Sequence, residues 1–168
     1  MNKKTLLVLL VALFATVGAS AQKGDMSVGL NLGYGSEIES AALGVKFNYG
    51  LMDQIQLSPS FNYFFENDGI SGWEINANAH YLFNIAPQVN VYPLVGLVLT
   101  SWSADFKYHN PYFGTVSIDH SETKFGLNLG GGINFRITPQ FSAGVEVKYT
   151  IVSDLDQFVP MAHVMYHF

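Results

Sequence analysis

The sequence predicts an all-β protein, an eight-stranded antiparallel up-and-down transmembrane β-barrel, on three observations. Apolar residues alternate with small or polar ones in eight stretches of about ten residues each, the pattern of barrel strands. An export signal precedes these stretches, and the last of them ends on an aromatic residue, Phe168. No segment after the signal is long enough for a transmembrane helix, so any membrane crossing has to be built from strands.

The first residues have the composition of a cleavable signal peptide. Lys3 and Lys4 form a basic start, Thr5 to Val17 is an apolar run, and Ala19-Ser20-Ala21 is a small-x-small cleavage site. The sequence therefore predicts a signal peptide at 1–21 and one barrel domain at 22–168.

Composition excludes several kinds of function. Without Lys3 and Lys4, six basic residues remain against 13 acidic ones, which argues against nucleic acid as a partner. The chain has no cysteine, which excludes disulfides, thiolate metal sites and cysteine nucleophiles.

The strands follow from a period of two residues. Met26, Val28 and Leu30 share one face of the first strand, whereas Ser27 and Gly29 share the other. The same pattern predicts strands at 26–34, 41–49, 55–65, 73–83, 89–99, 124–136, 141–151 and 158–168.

Two residues of the third predicted strand interrupt its pattern. Phe64 is apolar on the polar face. Pro59 lacks an amide hydrogen and predicts a bulge or a locally broken hydrogen bond.

Alternation alone leaves two barrels open: a soluble lipocalin-like barrel with its apolar face inward, and a membrane barrel with that face outward. Aromatic residues of the apolar set concentrate near strand ends, as two interfacial girdles require: Tyr34, Tyr49, Phe65, Trp73, Phe83, Phe135, Phe141, Tyr149, Phe158, Tyr166 and Phe168. The opposite face holds glycines and isolated charges, which suits a narrow polar lumen. The sequence therefore favours the membrane barrel.

The connections alternate in character. Those at 50–54, 84–88 and 137–140 are tight and predict periplasmic turns, whereas those at 36–40, 66–71, 103–123 and 152–157 are acidic and generally longer. An even number of strands returns the C-terminus to the side of the N-terminus, as closure demands.

The mature chain resembles the small eight-stranded outer-membrane barrels of the OmpX, Ail and OmpA-transmembrane type. The resemblance rests on the stretch from Lys124 to Arg136, KFGLNLGGGINFR, and on the closing residues Val164-Met-Tyr-His-Phe168. It implies a location in the outer membrane of a Gram-negative bacterium, in contact with lipid and lipopolysaccharide. It also implies an assembly signal at Val164, Tyr166 and Phe168 for the barrel-assembly machinery.

The inward set contains six charged residues: Lys46, Glu74, Lys124, Arg136, Glu146 and Lys148. Eight strands leave an interior just wide enough for side chains, so these ionised groups need partners. We expect a network that links the two glutamates to the four basic residues, with a conducting polar path as the alternative. Inward glycines would make room for the long side chains.

Catalytic and metal chemistry find little support. Asp119-His120-Ser121-Glu122 has the residue types of a hydrolase, but neighbours in one loop rarely reach triad geometry. No spacing matches a standard metal site. We expect no catalytic residues, no metal and no cofactor.

The third outer connection has aromatic residues that a solvated loop does not need: Phe106, Tyr108, Tyr112 and Phe113. They predict either a contact surface or a hairpin that prolongs the fifth and sixth strands. The sequence thus predicts a non-enzymatic outer-membrane barrel with a structural or surface-interaction role. A narrow porin-like channel for small solutes and a barrel enzyme acting on lipid A are the alternatives.

Overall fold

The computed structural model describes residues 24–110, 114–153 and 156–168, with the backbone alone between 104 and 120. The predicted signal peptide lies outside the described residues. Nine strands lie in the described part: β1 Met26–Gly35, β2 Ser40–Gly50, β3 Ile55–Asn67, β4 Ile70–Tyr81, β5 Phe83–Ala86, β6 Val89–Asn110, β7 Gly114–Arg136, β8 Phe141–Val152 and β9 Gln157–His167. No helix in the described part is both long and apolar enough to cross a membrane.

The strands form one closed antiparallel barrel. Apart from β4 and β5, which do not pair with each other, each strand pairs with its neighbour in sequence. β1 also pairs with β9, and β4 pairs with β6, which closes the ring. Since β4 and β5 both pair with β6 in one register, they occupy one strand position between them. The nine strands therefore form a barrel of eight strand positions. The predicted fold is confirmed.

Pro93 explains why the fourth position is divided into two strands. The register that joins His80 to Leu94 and Phe83 to Val91 sets Tyr81 opposite Pro93. Proline has no amide hydrogen for the ladder. The pairing with β6 therefore lapses at Leu82, whose amide donates instead to the carbonyl of Gln54 on the other side (2.7 Å).

The two ends of the barrel differ. Short turns at 51–54, 87–88 and 137–140 lie at one end, here called the turn end. The other end, here called the hairpin end, has the connection at 36–39, a two-residue turn and the β6–β7 hairpin. The two-residue turn replaces the longer loop predicted at 66–71. Asp68 (φ 50°) and Gly69 (φ 79°) both lie in the left-handed region, as a type I′ hairpin turn requires.

The β6–β7 hairpin extends beyond the barrel. Its ladder continues from Ser103 opposite Ser121 to Asn110 opposite Gly114, so the region predicted as a loop prolongs the two strands. Pairing of β4 with β6 ends at Ala104, and pairing of β7 with β8 ends at Gly126. The hairpin beyond both limits, residues 105–110 and 114–119, is a two-stranded ribbon.

Apolar side chains cover the outside of the barrel and polar ones fill the inside. Val145, Leu30 and Leu127 are exposed on the outer face, whereas Asn62, Asn76 and other polar residues are buried in the lumen. A soluble lipocalin-like barrel needs the reverse distribution. The outward assignment made from the sequence is therefore confirmed.

Pro59 causes no bulge. Lys46 opposite Ser60 and Tyr49 opposite Leu57 share one register, and the β2–β3 ladder is only interrupted between them. The register shift of β3 lies instead between Phe64 and Asn67, against β4, at the hairpin end.

Arginine substitutions at two depths of the outer face test the membrane orientation. Val145, 52% exposed, lies along β8 between the aromatic residues Phe141 and Tyr149, whereas Ile137, 65% exposed, lies in a turn. We expect Val145→Arg to cost about 2 to 4 kcal/mol of unfolding free energy in bilayers and Ile137→Arg about 0 to 1, because the cost of arginine falls towards the interface. Urea titration in phospholipid vesicles, followed by tryptophan fluorescence, measures both.

Equal costs for the two variants would contradict this placement. Gly144, the inward neighbour of Val145, is unsuitable as the control. A Cβ there would come within 2.4 Å of the Ile133 carbonyl oxygen. Any side chain at this position would therefore clash with the backbone, whether this face of β8 points inward or outward.

Candidate functional site

The lumen is closed at the hairpin end by apolar side chains. This apolar cap consists of Ile38, Ala42, Phe64, Val159 and Met161, with Ile70 and Trp102 packed against it. Phe64 is fully buried, and its ring centroid lies 5.1 Å from that of Trp102. The residue that broke the pattern of the third predicted strand is therefore at the centre of the cap.

Below the cap, an ion pair crosses the lumen between β8 and β4. The Lys148 ammonium is paired with the Glu74 carboxylate and also donates to Asn76 Oδ1 (2.9 Å). Glu74 Oε1 accepts from Asn62 Nδ2 (2.8 Å) and Asn76 Nδ2 (3.0 Å), and Asn31 Nδ2 donates in turn to Asn62 Oδ1 (3.1 Å). Each charge thus has a counter-charge and hydrogen bonds, which a buried ion needs.

Amide side chains extend this layer around the wall. Asn128 Nδ2 donates to Asn76 Oδ1 (2.7 Å) and lies 3.0 Å from Asn78 Oδ1, while Thr150 Oγ1 donates to Asn128 Oδ1 (2.9 Å). Strands β4, β7 and β8 are therefore joined through the lumen as well as through their ladders.

A second ion pair crosses the lumen nearer the turn end. Lys46 on β2 is paired with Glu146 on β8, and both side chains are buried. Tyr92 Oη donates to Glu146 Oε2 (2.9 Å), and the Tyr92 ring stacks on that of His80 at 4.3 Å. A Cβ at Gly132 would lie 2.5 Å from the Tyr92 hydroxyl, so glycine there makes room for the ring.

Two of the six predicted lumen charges lie outside these layers. Lys124 lies towards the hairpin end, where its Nζ donates to the Ser153 carbonyl (2.9 Å) and lies 3.4 Å from Glu122. Arg136 lies at the turn end, with its guanidinium 3.4 Å from His167 Nδ1. The expectation that all four basic residues pair with the two glutamates is therefore wrong. Lys124 and Arg136 are the two end residues of the predicted strand at 124–136. The alternation shows which face a residue is on, but not how far along the barrel axis it lies.

The turn end of the lumen opens into a polar cavity of about 410 Å³, here called the vestibule. Its lining includes Ser27, Gln56, Asn90, Arg136, Ser142 and His167. The Ser142 hydroxyl lies 2.8 Å from His167 Nε2. In the described part of the chain, no group of three or more His, Asp or Glu side chains is arranged to hold a metal ion.

Two of the four predicted contact residues, Phe106 and Tyr108, belong to the ribbon. The backbone of Phe106 pairs with Ile118 and that of Tyr108 with Val116. Tyr112 and Phe113 lie outside the described residues.

The predicted assembly signal lies on the outer face of β9. Val164, Tyr166 and Phe168 are exposed, and the Tyr166 ring lies 5.2 Å from Phe141 and 5.4 Å from Phe168. The Phe168 amide donates to the Met26 carbonyl (3.0 Å), which joins the end of the chain to β1.

Sequence reasoning missed the uncharged members of the lumen. Tyr92, His80 and the asparagines lie on the inward set of their strands, and this phase was the signal that could have found them. The prediction considered only charged residues, although a neutral amide or phenol also needs a partner when it is buried.

Comparisons with known proteins agree with this architecture. The outer membrane protein beta-barrel domain family matches residues 5–168. No curated protein matches the chain in sequence.

Solved structures match over most of the chain. The N-terminal β-barrel domain of Pseudomonas aeruginosa OprF has a TM-score of 0.66 at 16% identity, covering 87% of this chain and 98% of its own. Neisserial surface protein A has a TM-score of 0.64 at 19% identity, covering 90% and 100%. Yersinia pestis Ail, in complex with the heparin analogue sucrose octasulfate, has a TM-score of 0.57 at 21% identity, covering 87% and 99%. Identities this low show the fold alone, whereas the family match spans nearly the whole sequence. The chain therefore belongs to the family of outer membrane protein beta-barrel domains and is a protein of the Gram-negative outer membrane.

Proposed function

We propose that this protein is a non-enzymatic, non-conducting outer-membrane barrel that contacts molecules at the cell surface through its β6–β7 ribbon. The observation that supports this best is the combination of a lumen closed from the hairpin end and a ribbon that extends beyond that closure. Such a molecule offers its contact surface outside the barrel.

The filled lumen argues against the channel alternative. A permeating ion would have to pass the apolar cap and then both crossing ion pairs, Lys148–Glu74 and Lys46–Glu146. Desolvating an ion at an apolar constriction is costly. The geometry therefore supports a structural role for the lumen charges.

The barrel-enzyme alternative also finds little support. Asp119, His120 and Ser121 are consecutive residues of the extended strand β7. A nucleophile, its base and the group that orients the base have to converge on one point. Three neighbours on one strand are a poor basis for that arrangement.

Charge indicates which surface partner fits. Acidic residues predominate in the four connections that the sequence predicts on the outside: Glu37, Glu39, Glu66, Asp68, Asp105, Asp119, Glu122, Asp154 and Asp156. A polyanion such as the heparin analogue bound to Ail is therefore a poor ligand for this surface. Carboxylates bind Ca²⁺ and Mg²⁺, and these ions can bridge them to the phosphates of lipopolysaccharide, which we propose as the partner.

Replacing residues 105–119 by a Gly-Asn turn tests the ribbon. The barrel should remain folded and heat-modifiable on gels, because its closing ladders lie below the cut. We expect at least a tenfold weaker binding of fluorescent lipopolysaccharide to nanodiscs in Mg²⁺, and no difference from the parent in EDTA. Glu37→Gln with Glu39→Gln measures the share of the Mg²⁺-dependent binding that carboxylates outside the ribbon contribute. Full retention of binding by the shortened protein would rule out the ribbon as the contact site.

Glu146→Gln tests whether the lumen is a dry structural core. The change leaves Lys46 buried without its counter-charge, so we expect a loss of about 3 kcal/mol of unfolding free energy. Adding Lys46→Met should restore most of it, because replacing both partners of a buried pair costs little. Urea titration in vesicles measures all three variants.

Unchanged stability of the glutamine variant would indicate a lumen wet enough to screen its charges. Single-channel recording on the parent is the accompanying measurement. Under the proposal the parent gives no resolved conductance steps, and steady steps would support the channel alternative instead.

The export and assembly roles are proposals of the same kind. We propose that residues 1–21 are removed on export and that the assembly machinery reads Val164, Tyr166 and Phe168. The exposed position of these three side chains on β9 supports this, since a partner can reach them before the barrel meets lipid.

Removal of Phe168 tests the assembly signal. We expect slower appearance of the heat-modifiable form in vesicles that contain the assembly machinery, and an unchanged rate in vesicles without it. Phe158→Ala is the control, because it removes an equally exposed aromatic from the other end of β9. Equal slowing by both variants would mean that lost lipid contact, and not a signal, is responsible.

A further inference from the structure

A shallow apolar groove runs along the outer face of β9, between β1 and β8. Pairing places Ala162 of β9 directly between Leu32 of β1 and Val145 of β8. Leu32 is 62% exposed and Val145 52%, so both stand clear of the small side chain between them. The groove consists of two small residues of β9 and four larger ones beside them: Pro160, Ala162, Leu32, Tyr34, Val145 and Val147.

The groove lies directly below aromatic residues of the hairpin end. Val147 is opposite Pro160, and two residues further along the same ladder Tyr149 is opposite Phe158. Both aromatic side chains are exposed on the outer face. Aromatic residues of membrane barrels lie at the level of the lipid headgroups. The groove is therefore in the half of the hydrocarbon layer nearer the hairpin end, just beneath those headgroups.

The surface around the groove determines what kind of molecule covers it. This outer face is the lipid-facing surface of the barrel, so the groove is part of an interface with hydrocarbon. Water does not occupy that depth, and an unfilled gap loses the dispersion contacts of the atoms that line it. An acyl chain is narrow and flexible enough to lie between two rows of side chains, whereas a second barrel would need a matching ridge.

The charges above the groove indicate which lipid fits. β1 leads into the connection that contains Glu37 and Glu39, and Asp156 directly precedes β9. All three residues are exposed. Carboxylates bind Ca²⁺ and Mg²⁺, and these ions can bridge them to phosphates. A lipid with phosphates on its headgroup and several acyl chains therefore fits both the groove and the connections above it.

We infer that the groove binds one acyl chain of a lipopolysaccharide molecule whose phosphates are bridged by divalent cations to the carboxylates above. The inference rests on the proposed function, because it takes the hairpin end to face the cell exterior and lipopolysaccharide to be the partner. It adds a second contact to that function, on the wall of the barrel and separate from the ribbon.

Magnetisation transfer from lipid to protein methyl groups tests this inference. The mature chain is refolded in nanodiscs of deuterated phospholipid that contain protonated lipopolysaccharide and Mg²⁺. We expect nuclear Overhauser effects from acyl-chain protons to the methyl groups of Ala162, Val145 and Val147. Ala77, an exposed alanine on the outer face of β4, should give clearly weaker effects. Protonated phosphatidylglycerol in place of lipopolysaccharide should give equally weak effects at both alanines.

Filling the groove is the second measurement. Ala162→Leu places a larger side chain in the groove, so we expect fluorescent lipopolysaccharide to bind about fourfold more weakly, the equivalent of one displaced methylene group. Ala77→Leu is the matched control, because it makes the same change at an exposed alanine outside the groove, and it should leave the affinity unchanged. Both variants add an apolar side chain on the lipid-facing surface, so both should fold and remain heat-modifiable on gels.

Four results would overturn the inference. They are equal effects at Ala162 and Ala77, equal affinity of the parent and Ala162→Leu for lipopolysaccharide, equal effects of phosphatidylglycerol and lipopolysaccharide at Ala162, and a dimer of the parent that Ala162→Leu dissociates. The last result would assign the groove to a second copy of the chain.

The protein with residues 105–119 replaced by a Gly-Asn turn separates this inference from the proposed function. It should retain the effects at Ala162, because the groove lies on β1, β8 and β9. Retained effects at Ala162 together with unchanged lipopolysaccharide affinity would rule out the ribbon and leave the groove. Lost effects at Ala162 in this protein would overturn the groove as an independent site.

Discussion

The lack of water in the bilayer core is the constraint on which the rest of this structure depends. A backbone amide or carbonyl in hydrocarbon has no solvent partner, so strands can cross only as a closed ladder. Pairing of β1 with β9 and of β4 with β6 provides that closure. Prolines occur where the ladder lapses locally: Pro59 interrupts β2–β3 and Pro93 divides β4 from β5, yet neither shifts the register. Cooperative pairing on both sides of each lapse keeps the barrel closed.

Closure with eight strands in turn determines the interior. The lumen is only wide enough for side chains. Because the apolar residues of every strand face outward, the inward side chains are mostly polar and need hydrogen-bond partners among themselves. Glycines opposite large residues make this possible. Gly132 leaves space for Tyr92, and a Cβ at Gly130 would come within 2.8 Å of the Lys148 Cα. Two ion pairs bring opposite charges together there. Asparagine amides bond to the Lys148–Glu74 pair, and the Tyr92 hydroxyl donates to Glu146 of the other pair.

The lumen changes character along its length, from the hairpin end to the turn end. An apolar cap lies beneath the ribbon, charged layers occupy the middle, and the vestibule opens at the turn end. The ribbon that we propose as the contact surface is therefore separated from the vestibule by the apolar cap and the charged layers.

The amino-acid sequence by itself determined the barrel, the number of its strand positions, the outward face and the inward charges, because a period of two residues is a local property of the chain. It also marked Phe64 as an exception. The tertiary structure decided the position of each side chain along the barrel axis, the partners of the lumen charges and the length of the ribbon. Register and tilt bring Glu74 on β4 to Lys148 on β8, 74 positions later in the chain, while Lys124 and Arg136 reach opposite ends. The stagger between strands is a property of the closed ring, so it cannot be read from any one strand.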